Sequence, residues 1–191
     1  MLMRFLTGLV GLGLALKAGA VNLRTMELLD AAHTTLAAHG PVDGVAVSNQ
    51  RASTIVWDRV SGEPVGPALG WQDLRTIGEC FMARAAGVRV APNQSATKVA
   101  WLLNQFDPGR ERDLCFGTVD TWVAWVLSGG RVHVTDHSNA AVTGLLLPDA
   151  SGWNPRACEA LNVPMRMLPT LVHTSGVFGE ASALPGFPPL A

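Results

Sequence analysis

Hydrophobic spacing along the chain alternates between short β-like runs and helical stretches. Residues 21–39 carry Met26, Leu29, Ala32 and Leu36 at helical spacing and stop at Gly40-Pro41, which predicts a helix. His33 falls on or near that apolar face and reads as a packed histidine. Val45-Ala-Val47 reads as a short buried strand, and residues 53–57, rich in β-branched side chains, as a second. Ser61-Gly-Glu-Pro64 turns the chain, so residues 65–71 read as a returning third strand.

After Asp73 the period becomes helical. Asp73 reads as the cap of a helix running to about Ala86, and Pro92-Asn-Gln-Ser95 opens another, in which Val99, Leu102, Leu103 and Phe106 share a face. Thr118 reads as the cap of a third helix over residues 119–127, stopped by Gly129-Gly130. Val132-His-Val134 reads as a strand, residues 139–147 as a short apolar segment, and Asn154-Pro155 as the start of a helix to about Leu161. The tail from Gly176 thins into Gly, Pro, Ala and Leu and reads as having no helix or strand, residues 181–191 being a cut-short linker. The class is α/β.

Length and composition narrow the function. The chain has 191 residues, 48% of them hydrophobic, enough for one domain with a sizeable core. A net charge of -1 without a basic run gives no case for nucleic acid. Cys80, Cys115 and Cys158 are odd in number and far apart, so free thiols in a reducing, cytoplasmic setting are expected rather than a zinc site or a disulfide framework. Residues 1–20 form an apolar segment: Arg4, an apolar run and Ala18-Gly-Ala20 are close to a leader, whose cleavage would leave Val21 at the N-terminus. The run is shorter than the ~20 apolar residues of a membrane span, so no membrane association is expected.

Generic catalytic motifs are lacking: neither a complete G-x-G-x-x-G nor a G-x-x-x-x-G-K-[ST] occurs. Ser95-Ala-Thr-Lys98 matches S-x-x-K without its companion motifs, and reads as a helix-capping serine with an exposed lysine. His133 and His137 fall in a β-branched run, where a strand holds them too far apart to share a metal ion, so no metal site is assigned. Arg51 follows a buried strand directly; it can fork onto ligand hydroxyls or a carboxylate, or pair with an acid such as Asp73. Trp71 can stack on a sugar or polyol skeleton, or serve as core.

Seven collinear stretches resemble the FGGY family of carbohydrate kinases, in its glycerol-kinase-like branch. They are Ser48-Asn-Gln-Arg51, Val56-Trp-Asp58, Gly66-Pro-Ala-Leu-Gly-Trp-Gln-Asp-Leu-Arg-Thr76, Ser95-Ala-Thr-Lys-Val-Ala-Trp-Leu-Leu103, Phe116-Gly-Thr-Val-Asp-Thr-Trp122, His133-Val-Thr-Asp136 with Ser138-Asn-Ala140, and Ser175-Gly-Val-Phe-Gly179. The resemblance implies an actin-like, ribonuclease-H-like fold whose two domains close over a sugar or polyol and Mg-ATP, with an aspartate as general base. It implies residues 21–180 as a partial N-terminal domain lacking its first strands, with Arg51 on polyol hydroxyls and Trp71 as the pocket wall. Two acceptor positions depart from the pattern: Ala52 stands where glycerol kinases carry a glutamate, and Asn93 where they carry an aromatic residue. The Asp-x-Gly-Thr-Thr-Ser loop and the Gly-Asp-Gln-Gln segment with its base do not occur in the sequence. No catalytic residue is therefore assigned. The missing strands should pair beside Val45-Ala-Val47 and leave an open edge there. The expectation is a kinase fragment inactive alone; the alternative is a non-catalytic binding or scaffold remnant, homo-oligomeric or completed by a partner chain.

Overall fold

The structure, a computed structural model, describes Phe5–Leu6 and residues 25–191. The leader-like reading of residues 1–20, Phe5–Leu6 apart, and the start of the first helix lie outside the described residues.

In chain order the elements are β1 (Phe5–Leu6), α1 (Thr25–His39), β2 (Gly44–Val45), β3 (Ile55–Asp58), α2 (Ile77–Ala85), α3 (Ser95–Phe106), β4 (Leu114–Gly117), α4 (Val119–Leu127), β5 (Val134–Asp136), α5 (His137–Ala140), α6 (Pro155–Ala160), β6 (Thr170–Val172), β7 (Gly179–Glu180) and β8 (Pro189–Leu190). A 3-10 turn, Met165–Met167, precedes β6. No helix among the described residues is long and apolar enough to cross a membrane.

Among the described residues, three small sheets carry the fold. Strands β1, β2 and β8 run parallel, and β7 closes antiparallel on β8, in the order β1-β2-β8-β7. Strands β3 and β4 pair antiparallel, and β5 and β6 parallel. Helices α1 and α4 cover the first sheet through Ala32, Leu36, Ala124 and Leu127, which bury with Val45, Leu184 and Leu190. A second core joins α3, α6, β3 and β4 through Val56, Leu102, Leu103, Phe116 and Ala157. Between them Trp57 packs edge-on to Trp122 at 5.0 Å and to His133 at 5.4 Å, and tilted against Trp125 at 5.7 Å, arrangements that favour aromatic quadrupoles. Gly117 permits this approach: a Cβ there would meet Thr121 at 2.6 Å and Trp57 at 2.9 Å.

Several expectations are corrected. The tail is no linker: its strand β8 pairs with β2, Ala191 N–H donates to Val45 O at 2.8 Å, and Ala181, Leu184 and Leu190 are buried. Strand β2 is accordingly flanked on both sides, by β1 and β8, rather than left as an open edge. Strand β4 is not foreseen, because Leu-Cys-Phe-Gly is too short to show a period. Residues 65–71 return along β3 only as isolated bridges, Thr54 with Leu69 and Trp57 with Pro64. Asp73 caps no helix; α2 begins at Ile77, and the Asp73 carboxylate accepts from Arg75 N–H at 3.0 Å. His33 is exposed and its Nε2 lies 2.8 Å from Ala183 O, tying α1 to the tail. Helix α6 follows expectation, with Asn154 capping it by accepting from Arg156 and Ala157 N–H.

Candidate functional site

A cavity of about 290 Å³ lies just beyond the carboxyl ends of β2, β5, β6 and β8. Each strand hands its next residues to the wall: Val47, Ser48, Asn49 and Arg51 after β2, Ser138 and Asn139 after β5, His173 and Thr174 after β6, and Ala191 after β8. Ligands in open α/β sheets sit at this end, because loops leaving parallel strands converge there with backbone and side-chain polar groups unused by the ladder. Among the wall residues, Arg51 is exposed, and its Nη1 donates to Ser138 O at 3.3 Å.

The wall is held by a polar network. Asn49 Nδ2 donates to Asn139 Oδ1 at 3.0 Å. Asp136 caps α5, accepting from Asn139 N–H at 2.8 Å, Asn139 Nδ2 at 2.9 Å and Thr174 Oγ1 at 2.7 Å. Burial alone would raise the Asp136 carboxyl, but these donors hold it down at about 2. Asp120, in the first turn of α4, behaves oppositely. Burial raises its pKa, although Thr118 and Thr135 hydroxyls donate to it, and the Asp136 charge adds to the rise.

The four residues expected to contact substrate are brought only partly together. Arg51 lines the cavity and does not pair with Asp73, whose carboxylate is taken by Arg75 at 2.9 Å. Ala52 is buried, in the left-handed region at φ 63°, and its carbonyl accepts from Ser95 Oγ at 3.2 Å. Trp71 is 40% exposed, which sets aside the core reading. The antiparallel bridge between Thr54 and Leu69 leads two residues outward to Ala52 on one side and Trp71 on the other. Asn93 is exposed at the loop entering α3. None of Ala52, Trp71 and Asn93 lines the cavity; Ala52 follows Arg51 directly, and Ser95 ties it to the start of α3, two residues after Asn93.

His133 and His137 do not converge. His133 Nε2 lies 2.9 Å from Phe116 O, and burial drives its pKa down to about 4. His137 Nδ1 lies 3.0 Å from Val172 O instead. Cys115 and Cys158 are buried and Cys80 half-buried, all as free thiols.

The Ser95-x-x-Lys98 reading is overturned in both halves. Gln94 occupies the capping position, Ser95 is the first helical residue and a donor, and Lys98 is 0% exposed. Asp120, Asp136 and Asn139 escape the sequence reading as cavity residues, although all three fall within stretches that carry the family resemblance.

Fold and cavity together define an α/β domain with a polar-walled cavity at the carboxyl ends of its parallel strands. Residues 24–184 match the N-terminal domain of the FGGY family of carbohydrate kinases, and the chain belongs to that family. It is 41% identical over 157 residues to glycerol kinase of Thermus brockianus, covering 74% of this chain and 31% of that one. It is 37% identical over 150 residues to glycerol kinase of Borrelia duttonii, covering 71% and 30%. It therefore spans about a third of the length of these relatives. Among solved structures, Plasmodium falciparum glycerol kinase with ADP superposes with a TM-score of 0.77 at 20% identity, covering 91% of this chain and 41% of that one. A xylulose kinase from Rhodospirillum rubrum gives 0.71 at 17% identity, covering 87% and 39%.

Proposed function

We propose that these residues form the acceptor-side wall of a glycerol-kinase-like phosphotransferase, taking a polyol or sugar against Arg51. The supporting observation is the cavity beyond four strand ends with an exposed guanidinium in its wall. A guanidinium offers several in-plane donors, suited to adjacent hydroxyl oxygens. Trp71 supplies an apolar face beside it, and Ala52 and Asn93 leave more room and fewer anchors than a glutamate and an aromatic ring. The acceptor is accordingly a polyol or sugar other than glycerol, or larger than it.

The 191-residue polypeptide by itself transfers no phosphoryl group in this reading. The family implies Mg-ATP, and among the described residues the cavity offers it no unengaged side-chain carboxylate. Asp120 and Asp136, the cavity's carboxylates, are engaged by Thr118, Thr135, Asn139, Ser138 and Thr174. The setting is cytoplasmic, where three free thiols stay reduced.

Calorimetric titration with glycerol, erythritol, xylitol, xylulose and gluconate, alongside an ADP-release assay, tests both statements. Saturable binding without ADP release is expected. Absence of binding across the panel would remove the acceptor reading, and ADP release above background would remove the inactivity.

A further inference from the structure

The first turn of α3 reaches four separate segments, one per residue. Ser95 Oγ donates to Ala52 O at 3.2 Å. Ala96 N–H donates to Thr143 O at 2.7 Å. Thr97 Oγ1 shares a hydrogen bond with Thr76 Oγ1 at 2.8 Å. Lys98 Nζ donates to Pro92 O, and to Gln94 O at 3.3 Å, the two carbonyls flanking Asn93. All four residues are fully buried.

A lysine ammonium is costly to bury unless hydrogen bonds compensate it. An apolar side chain of similar length would fill the same space without that cost. The two backbone carbonyls are what the ammonium gains, and they belong to the loop that presents Asn93. Ser95 meanwhile grips the carbonyl of Ala52, whose left-handed backbone needs support from its surroundings.

We propose that Ser95-Ala-Thr-Lys98 is a positioning clamp that fixes Asn93 and Ala52 relative to one another, and through them the shape of the acceptor wall. The clamp rests on the acceptor reading above for its purpose, though not for its geometry. Ser95 and Lys98 are positioning residues: one is tied to Ala52, the other to both neighbours of Asn93.

Two arms of one experiment on the full chain separate clamp from acceptor reading. In the first, backbone amides are followed by ¹⁵N–¹H NMR from pH 6 to 10. Burial lowers the Lys98 pKa to about 8, against which the Asp73 carboxylate and an ionised Cys80 of α2 pull upward. Asn93 and Gln94 amides should titrate together with that midpoint, and should still do so in Cys80→Ala. In Lys98→Met the titration should vanish and the Asn93 and Ala52 amides should shift, with those of α6 in place. Should Lys98→Met fail to fold, the wild-type titration decides, and Ser95→Ala should displace the Ala52 amide alone. Asn93 and Gln94 amides indifferent to pH in the wild type, or unmoved by Lys98→Met, overturn the clamp.

In the second arm, xylitol is titrated into wild type and Lys98→Met. A neutral polyol carries no proton of its own in this range, so wild-type affinity should fall as pH rises through 8. Lys98→Met should bind about tenfold more weakly at pH 7, with no such pH dependence. Equal affinity in both proteins overturns the clamp's role in shaping the wall. If no polyol of the panel binds the wild type, the acceptor reading fails while the amide titration still decides the geometry.

Discussion

In the proposed acceptor reading, Arg51 is the side chain on which binding turns. It is exposed, and its hydrogen bond among the described residues is a weak one to a backbone carbonyl, so removing it should disturb binding far more than folding. Arg51→Ala is expected to weaken polyol binding about ten- to a hundredfold, the worth of a charge-assisted hydrogen bond or two, with the urea midpoint unchanged. Asn93 makes the complementary case. Because it is exposed, Asn93→Tyr should leave stability within about 0.5 kcal/mol while raising the affinity for glycerol relative to xylitol. Equal ratios in wild type and variant would remove Asn93 from the selectivity argument.

His133 sets the acid limb of stability. Its folded value, about 4, lies below its ordinary 6.5, so the fold prefers the neutral ring. That contribution is complete above pH 6.5 and is lost as pH falls from 6.5 through 4. Asp136, held at about 2 against 3.8, contributes fully above pH 3.8 and loses its share only as pH falls through 2. Asp120 has the opposite sign, since its raised pKa means that protonation relieves the fold. Urea midpoints for wild type should therefore drop between pH 6.5 and 4, and His133→Phe should flatten that interval. An unchanged slope in the variant would show that the ring is not the responsible group.

At the scale of elements, legibility followed length and period. Helices α3, α4 and α6 were readable because each spans enough residues for a 3.6 period or carries a cap: Asn154 before Pro155 announces α6 outright. Asn154→Ala should cost about 1 kcal/mol in urea unfolding, because two N–H groups of the first turn lose their acceptor. The short strands were poorly readable. Strands β7 and β8 are two residues each, and what makes them strands is pairing across the chain, Leu190 with Val45 and Gly179 with Leu190. No local propensity reports that. Leu190→Ala should cost about 2–3 kcal/mol, since its side chain is buried between α1, α4 and the sheet. A cost below ~0.5 kcal/mol would return the tail to the status of a linker.

At the scale of the whole molecule, seven motifs sufficed for the family, and the match over residues 24–184 agrees with them. What spacing did not disclose is how those motifs are wired. Lys98 looked like a surface lysine because nothing local to Ser95-Ala-Thr-Lys98 says that Pro92 and Gln94 fold back over it. Nor does local spacing show that Asp136 and Asn139 are met by Thr174 and Asn49, 38 and 90 residues away. The assembled wall is a long-range product of four strand ends, with Arg51 as its exposed charge.

Amide mapping with the tightest-binding polyol puts that wall to its most direct test. On ¹⁵N-labelled full-length chain, saturating shifts are expected at residues 47–52, 70–72, 92–94 and 136–139, with α6 silent and the pattern abolished in Arg51→Ala. Shifts that do not saturate, or that centre on α6 or the 148–152 loop and survive Arg51→Ala, would contradict an acceptor wall built on Arg51.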